Sequence, residues 1–358
     1  MEIALCGLGR AGKTTLWSIL TGREVPPGAK PETRRGVARV PDPRLDRLTA
    51  LFEPKKHTPA TVTYVDVLAL ERGTGRTDNP VLAELRPADA LMLVLRAFDD
   101  PADPHPEGSI DPARDLELME TEFLLADLAV AQRRIERLDA LIPKTNRPED
   151  RAERELMHKV VASLESEQPL REAEFTADER KALRGFAFLT AKPLLVAVNL
   201  GEDDTTKIGA PPAELGLGAL EGRSQVDVVA LSARIEEEIA ALSPEDAEAF
   251  RRELGIAEPA LDRLIRASYR LLGLISFFTV GKDECRAWTI REGTDARTAA
   301  GTIHTDLERG FIRAEVIEWD RLLEAGSLAA ARERGWLRLE GRDYVVRDGD
   351  VLHVRHAS

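Results

Sequence analysis

Gly7-Leu8-Gly9-Arg10-Ala11-Gly12-Lys13-Thr14 carries the spacing GxxxxGK[ST], set between an apolar run, Ile3-Ala4-Leu5-Cys6, and a helix-like stretch, Thr15-Leu16-Trp17-Ser18. Glycines so placed let backbone N–H groups converge on an anionic phosphate at a helix N-terminus, where unpaired amides carry partial positive charge. In that chemistry Gly7, Gly9, Arg10, Ala11, Gly12, Lys13, Thr14 and Thr15 surround the phosphates. Lys13 would contact the β- and γ-groups, and the Thr14 hydroxyl would ligate Mg²⁺. The same glycines also satisfy GxGxxG of dinucleotide-binding folds, which need an acidic residue ending a second strand about twenty residues on. That stretch is Pro26-Pro27-Gly28-Ala29-Lys30-Pro31-Glu32, with no apolar strand before it, and Lys13-Thr14 would have no role.

Buried β-type runs recur at Thr61–Val65, Ala90–Leu95, Leu194–Val198 and Val226–Leu231. With helical patterns between them they predict a doubly wound α/β sheet whose C-terminal edge holds the phosphates. The order is interrupted from Asp115 to Leu141, where apolar residues return at helical spacing; after Pro143 to Pro148 a second charged helix follows through Leu164. This predicts a helical hairpin, either an inert insertion or an arm for docking a partner. Beyond it, short β-rich stretches at Leu274–Val280, Cys285–Ile290, Phe311–Ile317 and Val351–Val354 flank a helix near Ala296 to His304, a small α+β unit. Trp288, Phe277 and Trp336 there read as core residues.

The 358 residues carry a formal net charge of −13, which disfavours non-specific nucleic-acid binding and gives no support to a DNA partner. Residues 273–358 hold 13 Lys and Arg against 15 Asp and Glu, so no basic footprint marks an RNA surface. Two distant cysteines, Cys6 and Cys285, give neither a disulfide framework nor a zinc pattern. No apolar run has the length of a membrane span, and the chain starts directly with a strand; the expectation is a cytoplasmic, monomeric protein.

Three segments point to a family: Gly281 to Thr294, Ala300-Gly301-Thr302-Ile303-His304-Thr305-Asp306, and Gly310 to Val316. They closely resemble the C-terminal TGS module of the YchF-type Obg-like ATPases. Val40-Pro41-Asp42-Pro43-Arg44-Leu45 and Thr121 to Leu128 resemble the same family, so the likeness runs along nearly the whole chain. It implies a G-domain over residues 1–110 and 170–272, a coiled-coil arm over 111–169, and a ubiquitin-like β-grasp TGS domain over 273–358. It also implies ATP hydrolysis to ADP and phosphate with Mg²⁺, K⁺ as a further cofactor candidate, and a ribosome or translation-factor partner.

Asn199-Leu200-Gly201-Glu202 stands where GTPases carry Asn-Lys-x-Asp. A glutamate is one methylene too long for the bidentate acceptance of guanine's N1–H and 2-amino groups, whereas adenine has no such donors. Asn199, Leu200 and Glu202, with Ser232-Ala233 of the following motif, are the expected base site, and ATP is expected over GTP. Asp66, ending a strand, matches the Asp of DxxG and would support Mg²⁺; Ala69 replaces the glycine. Leu70 stands where a water-positioning glutamine is found elsewhere and cannot orient water. The resemblance assigns that task to a histidine, matched here by His105. In the first switch, Lys30 takes the place of the family's threonine, with Thr33 out of register, and the second, Glu71 to Leu85, is short, keeping Gly73 and Gly75. These departures predict slow hydrolysis and open an alternative, a non-hydrolysing nucleotide-gated adaptor.

Overall fold

The structure, a computed structural model, describes residues 1–26, 28–70 and 79–357; Gly73 and Gly75 of the second switch lie outside the described residues. The described strands are β1 (Glu2–Cys6), β2 (Arg34–Arg39), β3 (Lys56–Thr58), β4 (Thr61–Asp66), β5 (Ala90–Ala97), β6 (Leu194–Leu200), β7 (Val226–Leu231), β8 (Leu274–Thr279), β9 (Glu284–Arg291), β10 (Phe311–Glu318), β11 (Arg338–Glu340) and β12 (Asp350–His356). The helices used below are α1 (Lys13–Thr21), α2 (Pro43–Phe52), α3 (Pro80–Leu85), α4 (Pro112–Thr145) and α5 (Pro148–Glu165). They fall in two compact units, residues 1–37 with 63–267 and residues 38–62 with 268–358.

In the first unit the sheet order is β2-β4-β1-β5-β6-β7. The pairs β4–β1, β1–β5, β5–β6 and β6–β7 are all parallel. Strands covered on both faces must be apolar on both, which is why β5 and β6 read as unbroken aliphatic runs. The order reverses beside β1, so a crevice opens at the C-terminal ends of the strands. Cys6, Asp66, Ala97, Leu200 and Leu231 end their strands there, which brings five distant loops to one edge.

The helical hairpin is α4 followed by α5. At 1.5 Å per residue the 34 residues of α4 span about 50 Å. Leu124, Leu128, Ala131 and Ile135 of α4 share an apolar cluster with Leu156, Met157, Val160 and Leu164 of α5. Arg134 donates through two nitrogens to Glu153, 2.7 Å each, across the pair. α4 runs through Pro143, which has no N–H to give the Asp139 carbonyl, and stops at Asn146, whose left-handed backbone (φ 50°) caps it. The arm's base is pinned at Asp127, whose buried carboxylate accepts from Thr190 N–H (2.7 Å), Thr190 Oγ1 (2.9 Å), Leu189 N–H (3.0 Å) and Arg86 Nη1 (3.0 Å).

In the second unit the order is β11-β10-β12-β8-β9-β3. β8 and β9 form an antiparallel hairpin, β12 runs parallel to β8, and β10 is antiparallel to β12 and β11. First and last strands of the C-terminal stretch thus lie side by side in the middle, the arrangement of a ubiquitin-like β-grasp, with the helix Ala296–Ile303 in the same apolar cluster. Phe277 is buried and stacks on Trp288 at 6.4 Å, while Trp336 is half-buried under Arg334.

The sequence division kept residues 38–62 with the first unit; in the structure they belong to the second. β3 extends the C-terminal sheet parallel to β9, with Lys56 paired to Glu284 at 3.1 Å. Arg44 of α2 donates to both oxygens of Asp348, at 2.7 and 3.2 Å. Polar partners more than two hundred residues away hold this segment, which is why local pattern did not place it.

Candidate nucleotide-binding site

The loop from Gly7 to Gly12 turns the chain from β1 into α1. Gly7 has φ 138°, and a Cβ there would lie 2.5 Å from the Val94 carbonyl oxygen; Gly12 has φ 88°, and its Cβ would collide with the Asn199 amide nitrogen. Both positions therefore require glycine. Lys13 is buried, its ammonium donating to the carbonyls of Leu8 (2.7 Å) and Gly7 (3.1 Å). Burial pulls its pKa down to about 8, against the pull of the Asp66 carboxylate in the other direction. The Thr14 hydroxyl donates to Asp66 Oδ2 at 2.8 Å. Burial raises the Asp66 carboxyl above its ordinary range, opposed by that hydroxyl, by Lys13 and by Arg34.

Thr14 and Asp66 thus present two hard oxygens, one anionic, side by side on the floor of a cavity of about 560 Å³. That donor set suits Mg²⁺, which takes few protein ligands and keeps waters and phosphate oxygens. Among the described residues no group of three His, Cys, Asp or Glu side chains could hold a metal by itself. A phosphate-borne ion needs none.

A second cavity, about 420 Å³, is lined by Phe98, Asp99, Asn199, Leu200, Glu202, Ser232 and Ala233 among others, and shares Gly12, Thr15, Phe98 and Asp100 with the first. The expected base and phosphate residues are therefore neighbours in one crevice. Asn199 lines this cavity and also binds the backbone on either side. Its Nδ2 donates to the Ala11 carbonyl (3.1 Å) and its Oδ1 accepts the Ala233 N–H (2.9 Å), so one hydrogen and one lone pair knit the phosphate loop to the Ser232-Ala233 turn. Leu200 is buried, and Ser232 caps the helix Ala233–Ala241. Glu202 stays at the rim, half exposed, where Arg234 Nε donates to it at 2.7 Å.

The facing wall differs more from expectation. Leu70 is buried, its N–H donating to the Gly7 carbonyl at 3.3 Å, and Ala69 lines the cavity. Thr33 gives its hydroxyl to Glu84 of α3 and takes no part in the cavity lining, nor does Lys30. His105 lines neither cavity. Its ring is buried, with Nδ1 accepting the Glu107 N–H (3.1 Å) and Nε2 donating to Asp115 Oδ2 (2.8 Å), a pattern that assigns the proton to Nε2. In this conformation the histidine is tied to the first turn of α4, away from both cavities.

Three features escaped sequence reasoning. Phe98 joins the two cavities; Arg34 points into the first; and Arg10 ties the phosphate loop to the His105 loop, donating to the Pro104 carbonyl (2.9 Å) and pairing with Asp103 (2.7 Å).

Comparison with known proteins adds an independent line. The family model YchF-GTPase_C, described as a protein of unknown function (DUF933), matches residues 274–357. The ribosome-binding ATPase YchF of Bacillus subtilis is 38% identical over 99% of this chain and 99% of its own. That of Haemophilus ducreyi is 40% identical over 99% and 98%. Obg-like ATPase 1 of Oryza sativa is 34% identical over 99% and 92%. Among solved structures, the Schizosaccharomyces pombe YchF GTPase superposes with a TM-score of 0.86 at 30% identity, covering 99% of this chain and 97% of that one.

Proposed function

Because the chain belongs to the family of YchF-type Obg-like ATPases, we propose that it binds ATP in this crevice, hydrolyses it to ADP and phosphate, and engages the ribosome according to the nucleotide held. The observation that carries the reading is the continuity of the two cavities: a phosphate cradle and a base-sized pocket share Gly12, Thr15, Phe98 and Asp100. The relatives' names support ATPase and ribosome-binding activity, and differ over the base, ATPase for the bacterial proteins and GTPase for the yeast one. Here the base preference is for ATP, since Glu202, already one methylene too long, spends its carboxylate on Arg234.

In hydrolysis a water oxygen bonds to the γ-phosphorus while the bond to the β,γ-bridging oxygen breaks. Lys13 and the loop amides hold the phosphates in line, and Thr14 and Asp66 would hold Mg²⁺, which would supply charge neutralisation at the phosphates. His105 is the water-positioning group. To act, it exchanges Asp115 for the cavity, leaving that carboxylate to Arg114, which already donates to it at 2.8 Å. Nucleotide chemistry belongs to the first unit, and ribosome contact to the hairpin arm and the β-grasp unit. A monomer working in the cytoplasm, with K⁺ as accessory cation, completes the reading; among the described residues no helix is long and apolar enough to cross a membrane.

Calorimetric titration with ATP, GTP and non-hydrolysable analogues, with Mg²⁺ and K⁺ present, followed by phosphate release, tests this. Tighter ATP with turnover is expected, and tighter GTP overturns the base assignment. Binding without turnover establishes the second reading, a nucleotide-gated adaptor, which the seating of His105 on Asp115 favours.

A further inference from the structure

We infer that Arg34 is the side chain that tells a triphosphate from a diphosphate in this site, taking over from the hydroxyl that the first switch lacks. The inference rests on the nucleotide reading above and deepens it. Of residues 28–34 the cavity is lined by Gly28, Ala29, Pro31, Glu32 and Arg34, none of which carries a hydroxyl. Thr33 is turned to Glu84, and Lys30 is exposed. Among the described residues of this segment, one cation faces the cavity, Arg34.

The guanidinium is held in place. Its Nη2 donates to the Lys30 carbonyl at 2.8 Å and its Nη1 to the Glu32 carbonyl at 3.3 Å, so the side chain folds its own segment around itself. The side chain is 16% exposed, and Nη1 stands 4.0 Å from Asp66 Oδ2, the same oxygen that accepts the Thr14 hydroxyl. A γ-phosphate seated on Lys13 beside the Thr14–Asp66 pair lies within reach of that fork. Two facts favour phosphate over Asp66 as its working partner: the 4.0 Å approach is too long for a hydrogen bond, and a metal at Asp66 would repel a second cation toward the anion both attract. Arginine suits the task because its planar donors match phosphate oxygens in pairs, and its charge persists at any working pH. A diphosphate leaves that place to water.

The test is the ratio of affinities for a non-hydrolysable ATP analogue and for ADP, measured calorimetrically with Mg²⁺ on the full chain, for the wild type, R34A, R34Q and R34K. R34A and R34Q are expected to narrow the ratio by about 10- to 100-fold through the analogue alone, the size of a charge-assisted hydrogen bond, with ADP affinity unchanged. R34K keeps the charge without the fork and should restore part of the loss. A ratio unchanged in R34A and R34Q overturns the inference, and so does an equal fall for both nucleotides, which makes Arg34 a clamp on residues 30–34 and nothing more. A wild type that binds neither nucleotide fails earlier and overturns the nucleotide reading itself. R34Q retains length and polarity, so it decides the matter if the alanine variant does not fold.

Discussion

The two walls of the nucleotide crevice are built from different materials. The phosphate loop is fixed by backbone and core: Gly7 lies against the Val94 carbonyl, Gly12 against Asn199, and the Lys13 ammonium is buried between two carbonyls of its own loop. The facing wall is held by side-chain pairs, Thr33 with Glu84 and Arg34 with Glu32, and the His105 loop is tied to the phosphate loop only at the surface, by Asp103 to Arg10 (48% and 50% exposed). These are side-chain contacts between residues of surface segments, whereas the loop is locked by backbone and core, so this wall can rearrange by exchanging side-chain partners while the loop cannot. Holding the nucleotide is therefore a property of the fold, and reading its phosphates is left to a wall that can respond.

The largest separation of the walls is expected from Lys13→Ala. If Lys13 donates to the phosphates as proposed, its loss removes two charge-assisted hydrogen bonds, and ATP affinity should fall about 1000-fold in calorimetry. Thr33→Ala, on the other wall, should leave ATP affinity nearly unchanged, because its hydroxyl is spent on Glu84. Equal losses in the two variants would break the comparison.

Next is backbone strain. Gly12→Ala places a methyl in a left-handed position against Asn199 and disturbs the two bonds that amide makes, for about 3 kcal/mol of stability by chemical denaturation. Gly108→Ala shares the positive φ (79°) but has nothing within 4 Å, and should cost about 1 kcal/mol. The difference measures how tightly the loop is packed, independent of any ligand.

His105→Ala addresses the responsive wall. If the ring leaves Asp115 to position water, phosphate release should slow about 100-fold with ATP affinity unchanged. Unchanged turnover, or its absence in the wild type, would leave His105 as the anchor of α4 and favour the adaptor.

The same division governs what could be read from residue order. The inner strands β1, β5 and β6 were legible because burial on both faces forces aliphatic runs, and β7, though at the edge, keeps a valine-rich run whose last three residues are buried. The three strands that went unread, Arg34–Arg39, Lys56–Thr58 and Arg338–Glu340, all lie at sheet edges, where charged residues discourage further pairing and erase the apolar signal. In the site, the phosphate loop announced itself because its chemistry dictates residue types at fixed spacing. The destinations of Asn199 and His105, and the aim of Arg34, depend on partners the chain brings together only when folded: Ala11 is 188 residues from Asn199. Counting along the first switch found Lys30, which lies off the cavity lining, and passed over Arg34, which lies on it.

The smallest effect is expected at the base. Glu202 and Arg234 are 52% and 73% exposed, so their pair contributes little to stability; its role is to hold the carboxylate away from a guanine. Arg234→Ala frees the glutamate but leaves it too long. Glu202→Asp shortens the arm and, with Arg234→Ala, provides an acceptor at the length guanine requires. The double variant should gain up to about 10-fold in GTP affinity, one well-made polar contact, with ATP unchanged. It should stop short of full GTP specificity, because Leu200 stands where GTPases carry a lysine. No gain for GTP would move base selection to Phe98 and the Ser232-Ala233 turn, which line the same cavity, and would make the base pocket, like the phosphate loop, a product of shape rather than of one carboxylate.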